Sequence, residues 1–138
     1  MDKTISKLKE ELRSLLMDNI LPYWIKNMPD DVNGGFYGRI TGNEELKPEA
    51  DKGAILNARI LWTFSSAYRL LKNETYLHIA TRAKRIIMDC FYDKEFGGIY
   101  WSLDYKNNPS DTKKQIYAIG FAIYGLSEYH RATGDAEA

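Results

Sequence analysis

GAILNARILWTFSSAY, residues 53–68, carries one charged side chain, Arg59, in a run of apolar, aromatic and small residues. Nothing after its opening glycine breaks a helix, and its composition is that of a helix covered on most sides. Helix two is therefore expected over residues 53–71. A guanidinium on such a helix is costly to bury unless carboxylates or ligand oxygens satisfy it, because it cannot shed its proton. Arg59 is thus the first candidate functional residue. The competing reading places it at a rim, paired with an acid from a neighbouring loop.

The chain says much of this twice. KGAILNARILWTFSSAYR (residues 52–69) returns as KQIYAIGFAIYGLSEYHR (114–131), so that Lys52, Ser65 and Arg69 recur in register as Lys114, Ser127 and Arg131. DDVNGGFYG (30–38) returns as DKEFGGIYW (93–101), where Asp30, Gly34, Gly35 and Tyr37 recur as Asp93, Gly97, Gly98 and Tyr100. The two spacings nearly coincide and so report one repeat. The period is too long for tetratricopeptide or ankyrin units, which repeat at roughly 33 to 34 residues. It suits a helical hairpin plus a long structured connection. The order is the same each time: a GG-aromatic loop, a lysine, then a nearly uncharged helix.

The remaining segments complete two such units. Ile5, Leu8, Leu12, Leu15, Leu16 and Ile20 follow the spacing of one helix face, predicting helix one over residues 4–23 with Pro22 disturbing its end. The turn-rich stretch up to Lys52 contains FYGRI, a candidate short strand. Asn73 is placed to cap helix three, residues 74–91, whose Tyr76, Ile79, Ala80, Ala83, Ile86 and Ile87 face inward while Arg82, Lys84 and Arg85 line its outer side. GGIYWSLDY is a second short strand or hairpin. Thr112 and Gln115 have capping-box spacing for helix four, which runs to about Thr133 and stops at Gly134-Asp135. Amphipathic outer helices alternating with apolar inner ones describe an all-α toroid, its inner helices lining a funnel and its long loops gathered at one rim. A compact four-helix assembly does not explain why every second helix is nearly uncharged. Two hairpins cannot close a ring, so residues 1–138 are expected to be the N-terminal portion of a larger single domain, with apolar faces awaiting the rest of the barrel.

Composition excludes several functions. Lys and Arg balance Asp and Glu at 19 each, so no basic field argues for nucleic acid or an anionic membrane. The single Cys90 forms no internal disulfide and no metal cluster, and is expected to pack as a small apolar residue near a helix end. The N-terminus lacks an apolar signal region and no run reaches membrane-spanning length, so a cytoplasmic location is expected. Ten Tyr, five Phe and three Trp stand out. Such rings suit carbohydrate, whose C–H faces stack on them while hydroxyls take hydrogen bonds.

NILPYW (19–24), GGFYGRI (34–40), KGAILNARILWTFSSAYRL (52–70), FGGIYWSLD (96–104) and KKQIYAIGFAIYGLSEYHRATGD (113–135) together resemble the N-terminal part of the N-acylglucosamine 2-epimerase superfamily, most nearly its cellobiose 2-epimerase branch. The resemblance covers nearly the whole chain. It implies an (α/α)6 barrel of about six helical hairpins, of which this chain holds about two. It also implies epimerisation at C2 of a reducing-end aldose, in cellobiose or a related β-1,4-linked disaccharide, with no cofactor and no metal. In that chemistry the sugar ring opens, one histidine removes the C2 proton, and a second returns a proton to the opposite face through an enediolate. Arg59 aligns with the arginine set beside the reacting oxygens, and Tyr117 with a sugar-contacting tyrosine on the next inner helix. A fixed guanidinium stabilises charge developing on oxygen, which agrees with that assignment. The competing reading of Tyr117 is a core tyrosine with a satisfied hydroxyl.

The two catalytic histidines implied by the resemblance fall beyond residue 138. His78 and His130 lie in neither motif and read as surface or satisfied histidines, so residues 1–138 alone are expected to be inactive. Three rivals remain. A glycosidase or lyase on a similar toroid would draw its carboxylates from Asp30, Asp31, Asp93, Glu95 and Asp104, which beside GG turns read instead as turn braces. An aldose–ketose isomerase shares the enediolate. A non-enzymatic helical-repeat scaffold would be indifferent to Arg59.

Overall fold

The computed structural model describes residues 3–138. The chain opens with α1 (Lys3–Ser14), which passes through a π-helical turn (Leu15–Ile20) into α2 (Leu21–Asn27). The first helix therefore runs past the expected end at Tyr23. Pro22 sits just after the π-helical turn, and the Leu21 N–H before it reaches back to the Leu16 carbonyl in the widened register, so the helix absorbs the proline without ending.

After a long loop come β1 (Lys52–Gly53) and α3 (Ala54–Leu71); α4 (Glu74–Ile86) follows and ends in a second π-helical turn (Ile87–Phe91). Asn73 caps α4 as expected, its side chain accepting from Thr75 N at 2.9 Å. Lys72, left-handed at φ 54°, closes α3. Then β2 (Ser102–Leu103) and β3 (Pro109–Asp111) form a hairpin, and α5 (Ile116–Thr133) ends at Gly134 with φ 78°. The three strands make one antiparallel sheet in the order β1-β2-β3, pairing Lys52 with Leu103 and Ser102 with Asp111. FYGRI forms no strand; its Phe36 and Ile40 make single bridges to Pro29 and Leu46. The capping box is absent too. Gln115 is the N-cap without a side-chain bond, because residues leading into α5 stay extended while Lys114 reaches Asp93.

The core forms where α3 meets α4 and α5. Leu61, Phe64, Ala80, Ala83, Ile87, Phe91, Leu103 and Ala118 are all but inaccessible. Phe64 meets the Tyr76 ring of α4 at 6.1 Å, and the Thr81 and Tyr129 hydroxyls, 2.9 Å apart, join α4 to α5. The two inner helices approach closely because Gly125 has no side chain: a Cβ there would lie 2.7 Å from the Ala58 carbonyl oxygen. Arg69 bonds Glu128 at 2.7 Å near the other end of this seam.

Two helices present the open apolar faces that hairpins without the rest of a ring were expected to leave. Helix four is not covered nearly all round, since Ile116, Tyr117, Ile123 and Tyr124 are exposed. The apolar face of helix one is exposed at Ile5, Leu8, Leu12, Leu15, Leu16 and Ile20. An apolar face is buried only where a neighbour exists to cover it, and these faces have none among the described residues. On α4 the outer cations are also less free than expected. Arg82 bonds the Gly35 carbonyl, the Asp30 carbonyl and the Asp31 carboxylate, and lies over the Phe36 ring. Lys84 pairs with Asp135 and Glu137.

The sequence repeat is a structural repeat. In both GG turns the aspartate heads the loop: Asp30 Oδ1 accepts from Val32 N and Asn33 N, and Asp93 Oδ1 from Glu95 N and Phe96 N. Gly34 and Gly35, like Gly97 and Gly98, have φ between 69° and 85°, a region that only glycine enters freely. Each aspartate also binds the lysine that precedes an inner helix, Lys52 at 2.8 Å and Lys114 at 2.6 Å. Burial alone would raise the Asp30 pKa, but the Lys52 ammonium and Asn33 donors outweigh it and hold the carboxyl below the usual range. Asp93 is lowered to about 2 by its Lys114 bond and by the Phe96 and Glu95 N–H groups, against some desolvation.

Candidate functional site

Arg59 projects from the second turn of α3. The expectation of a buried guanidinium is not met: Arg59 is exposed. The rim reading fails as well, since no carboxylate pairs with it among the described residues. α3 is covered where α4 and α5 pack on it, and no such neighbour covers the Arg59 side among the described residues. Arg59 lines a groove of about 440 Å³ between α2 and α3, with Leu21, Trp24, Ile55, Thr63 and Phe64 as walls. The groove is mostly apolar, and Arg59, its cation among the described residues, is held on a rigid helix rather than on a loop.

Tyr117 stands in the first turn of α5 and is 63% exposed, so it is not a core tyrosine. Its ring meets Phe121 edge-on at 5.0 Å, and Phe121 meets Tyr124 edge-on at 6.5 Å. Tyr124 in turn stacks flat on Trp62, 5.0 Å between centroids and 9° from parallel. Trp62 follows Arg59 by close to one helical turn, and Tyr124 follows Tyr117 by close to two. One aromatic strip thus runs from Tyr117 through Phe121 and Tyr124 to Trp62, with Arg59 beside its far end. The strip is partly open, with Tyr117, Gly120, Phe121 and Tyr124 forming a shallow surface of their own. Arg59 and Tyr117 line separate depressions that share no lining residue.

This arrangement offers flat apolar faces for the C–H faces of a sugar and a planar, fully charged donor for its oxygens. Sequence reading missed Trp62, Phe121 and Tyr124 as members of the surface. The signal was available, since Trp62 and Tyr124 occupy the same position of the two repeats, but pairing them needs the helix orientation.

Four of the five acids considered for a glycosidase are used elsewhere. Asp30, Asp93 and Asp104 accept bonds from their own loops, Asp31 binds Arg82, and Glu95 is exposed. None lines the Arg59 groove. His78 is exposed on α4, and His130 is exposed with Nδ1 2.7 Å from the Asp135 carbonyl oxygen; neither lines the groove. A larger cleft of about 800 Å³ opens between α4 and the first GG turn, lined by His78, Arg82, Cys90 and Asn107. One of its two lining arginines, Arg82, is already committed to three oxygens, and neither Arg59 nor Tyr117 lines it, so it is not the candidate site. Cys90 is partly covered there, and burial pushes its thiol pKa up, the direction of an unreactive thiol. Among the described residues no group of three or more His, Cys, Asp or Glu is placed to hold a metal ion, and no helix is long and apolar enough to cross a membrane.

The chain is 70% identical over 131 residues to a cellobiose 2-epimerase of Bacteroides fragilis, a match that covers 95% of this chain and 33% of that protein. It is 48% identical over 128 residues to one from Ruminococcus albus, covering 93% and 33%. Among solved structures, the cellobiose 2-epimerase of Bacillus thermoamylovorans superposes with a TM-score of 0.93 at 43% identity, over 96% of this chain and 34% of that one. The chain thus spans about a third of the length of the curated relatives it matches. The matching structures are (α/α)6 barrels, and the outer and inner helices seen here match about a third of such a barrel. The family model for N-acylglucosamine 2-epimerase matches residues 35–138, which takes in the second GG turn, both inner helices, Arg59 and Tyr117. The chain belongs to the N-acylglucosamine 2-epimerase family.

Proposed function

We propose that residues 1–138 are the N-terminal portion of one barrel domain whose activity is sugar 2-epimerisation, and that they supply its Arg59 and Tyr117. The observation that carries this reading is a guanidinium with no carboxylate partner among the described residues, on a rigid helix, in an apolar groove beside an open aromatic strip. A guanidinium left without a carboxylate is available to ligand oxygens. Relatives named cellobiose 2-epimerase make cellobiose, or a related β-1,4-linked disaccharide, the proposed substrate.

The proposed chemistry begins with the reducing-end sugar in its open aldehyde form. A base takes the proton from C2, and the C–H electron pair moves into the C1–C2 bond as charge develops on O1. Arg59 donates to the oxygens where that charge appears, which lowers the barrier because the donors are already in place. Tyr117 orients a sugar hydroxyl beside the ring strip. Return of a proton to the opposite face of C2 gives the mannose configuration. The base and acid are histidines of the rest of the barrel, since His78 and His130 stand away from the groove.

The test is product analysis with the full-length protein and cellobiose in deuterium oxide. A disaccharide with mannose at its reducing end, carrying deuterium at C2, is the expected product. A ketose would instead mean protonation at C1 and an aldose–ketose isomerase, and free glucose would mean a glycosidase.

A further inference from the structure

The repeat contains a second recurring piece that has no sequence identity to reveal it. Thr41–Glu45 and Asp104–Asn108 are equivalent tight turns, set apart by the same interval as the two GG turns. In each, the first N–H bonds the last carbonyl, at 2.9 Å from Thr41 to Glu45 and 2.8 Å from Asp104 to Asn108. In each, the first side chain accepts from the last N–H, Thr41 Oγ1 from Glu45 and Asp104 Oδ1 from Asn108. The fourth residue of each is left-handed without being glycine: Glu44 at φ 61° and Asn107 at φ 70°.

Asn107 shows what that position does. Its Oδ1 accepts from Lys52 Nζ at 2.9 Å, and its Nδ2 donates to the Asn33 carbonyl. Lys52 also donates to Asp30 Oδ2 and to the Gly34 carbonyl, both at 2.8 Å. All three ammonium protons therefore have acceptors, which is what allows a lysine to be wholly inaccessible. The tight turn of the second repeat is thus a plug in the Asp–GG–Lys socket of the first.

The second socket repeats the aspartate, the two glycines and the lysine, but among the described residues Lys114 bonds neither a glycine carbonyl, as Lys52 does, nor a plug. Asp93 is the hydrogen-bond partner found for Lys114 among the described residues, and the Lys114 side chain remains 29% exposed against 0% for Lys52. The Phe96 and Tyr100 rings lie 5.6 and 6.0 Å from its ammonium. We infer that the second socket, Asp93 to Gly98 with Lys114, receives the tight turn of a third repeat, whose left-handed residue brings a side-chain oxygen to the Lys114 ammonium. Two features select that occupant. The contact would continue the interface already formed between the first two repeats, and the relatives carry about two thirds of their length beyond the matched third. The plug residue lies one repeat after Asn107, as Asn107 lies one repeat after Glu44, and like both it carries a side-chain oxygen. Successive units of the ring are then latched one to the next by the same polar contact, beneath the rim formed by their loops.

Amine acetylation of the full-length protein, followed residue by residue with mass spectrometry, tests this. Lys114 should react as slowly as Lys52, with both roughly tenfold or more slower than exposed Lys106, the order expected when labelling awaits a local opening. Asn107→Ala should speed Lys52 and leave Lys114 slow, whereas alanine at the third-repeat position should do the reverse. A Lys114 that reacts as fast as Lys106 in the unaltered protein overturns the inference, and that comparison needs no variant to fold. An Asn107→Ala protein in which Lys52 stays slow overturns it too.

Discussion

Trp62 and Tyr124 lie ring on ring at 5.0 Å, and they are the same position of two successive inner helices. The contact fixes the two helices in one register, so the positions around it also correspond. Arg59 comes one turn before Trp62, and Tyr117 two turns before Tyr124. A cation and a phenol from different repeats, far apart in sequence, are thereby set along one aromatic strip. The register depends on close approach of the helix backbones at Gly125.

Two glycines of α5 should respond to alanine with opposite signs. At Gly120 a Cβ meets nothing within 4 Å, so Gly120→Ala should stabilise by up to about 1 kcal/mol through helix propensity. At Gly125 the same gain is offset by a Cβ placed 2.7 Å from the Ala58 carbonyl oxygen, backbone that cannot swing aside. Gly125→Ala should therefore lower stability. Urea midpoints of the two variants check this, and a gain at Gly125 would show that the helices are not locked at this point.

The buried Asp30–Lys52 pair should be expensive to break from one side. Lys52→Met leaves a carboxylate without its cation at a site of no solvent access, a change of about 3–5 kcal/mol. Lys52→Arg should not restore it, since a planar guanidinium does not fit three acceptors arranged around an ammonium. Equilibrium denaturation of the two variants reads this directly, with a loss below about 1 kcal/mol arguing that the pair is incidental.

Asp93 carries a pH signature. Its folded pKa is about 2, below an unfolded value near 3.9, so its stabilisation is fully present above the unfolded value. It is lost as pH falls from about 4 toward 2. Asp93→Asn should flatten the decline of the denaturation midpoint across that window and lower the midpoint at neutral pH. An unchanged acid slope would mean that Asp93 and Lys114 do not interact in solution.

Much of the fold was legible because helical periodicity and the repeat report on each other. The nearly uncharged segments at Arg59 and Tyr117 became α3 and α5, and Asn73 and Gly134 bound helices as expected, the first through its side chain and the second through a left-handed backbone. Exposure was misjudged because composition shows which face is apolar but not whether a neighbour is present to cover it. Arg59 is open for that reason, whereas the open Ile5–Leu8–Leu12 face is what two hairpins without the rest of a ring were expected to leave. The capping box failed because a tertiary demand, Lys114 reaching Asp93, outweighed a local preference. The Asn107 latch was invisible because its equivalent, Glu44, shares a backbone conformation and no chemistry that a sequence comparison would match.

The open apolar faces should make residues 1–138 sticky in isolation. Ile5, Leu8, Leu12 and Leu15 form an exposed row on the first helix, and Ile116, Tyr117 and Ile123 are exposed on α5. Binding of a hydrophobic dye, or self-association in analytical ultracentrifugation, should fall when Leu8 and Leu12 are both changed to Gln. A monodisperse, dye-silent chain would show that these faces are less available than their exposure indicates.

The most direct measurement is the turnover of the full-length protein on cellobiose with Arg59 altered. Arg59→Ala should reduce turnover by about two to four orders of magnitude, the scale seen when a comparable transition-state donor is removed, with the fold intact because Arg59 is exposed and holds no carboxylate among the described residues. Arg59→Lys should recover little of it, because an ammonium cannot reproduce a planar two-pronged donor. Exchange of the C2 hydrogen with deuterium oxide should fall in parallel with turnover. Full turnover and full C2 exchange in Arg59→Ala would contradict the role assigned to the groove.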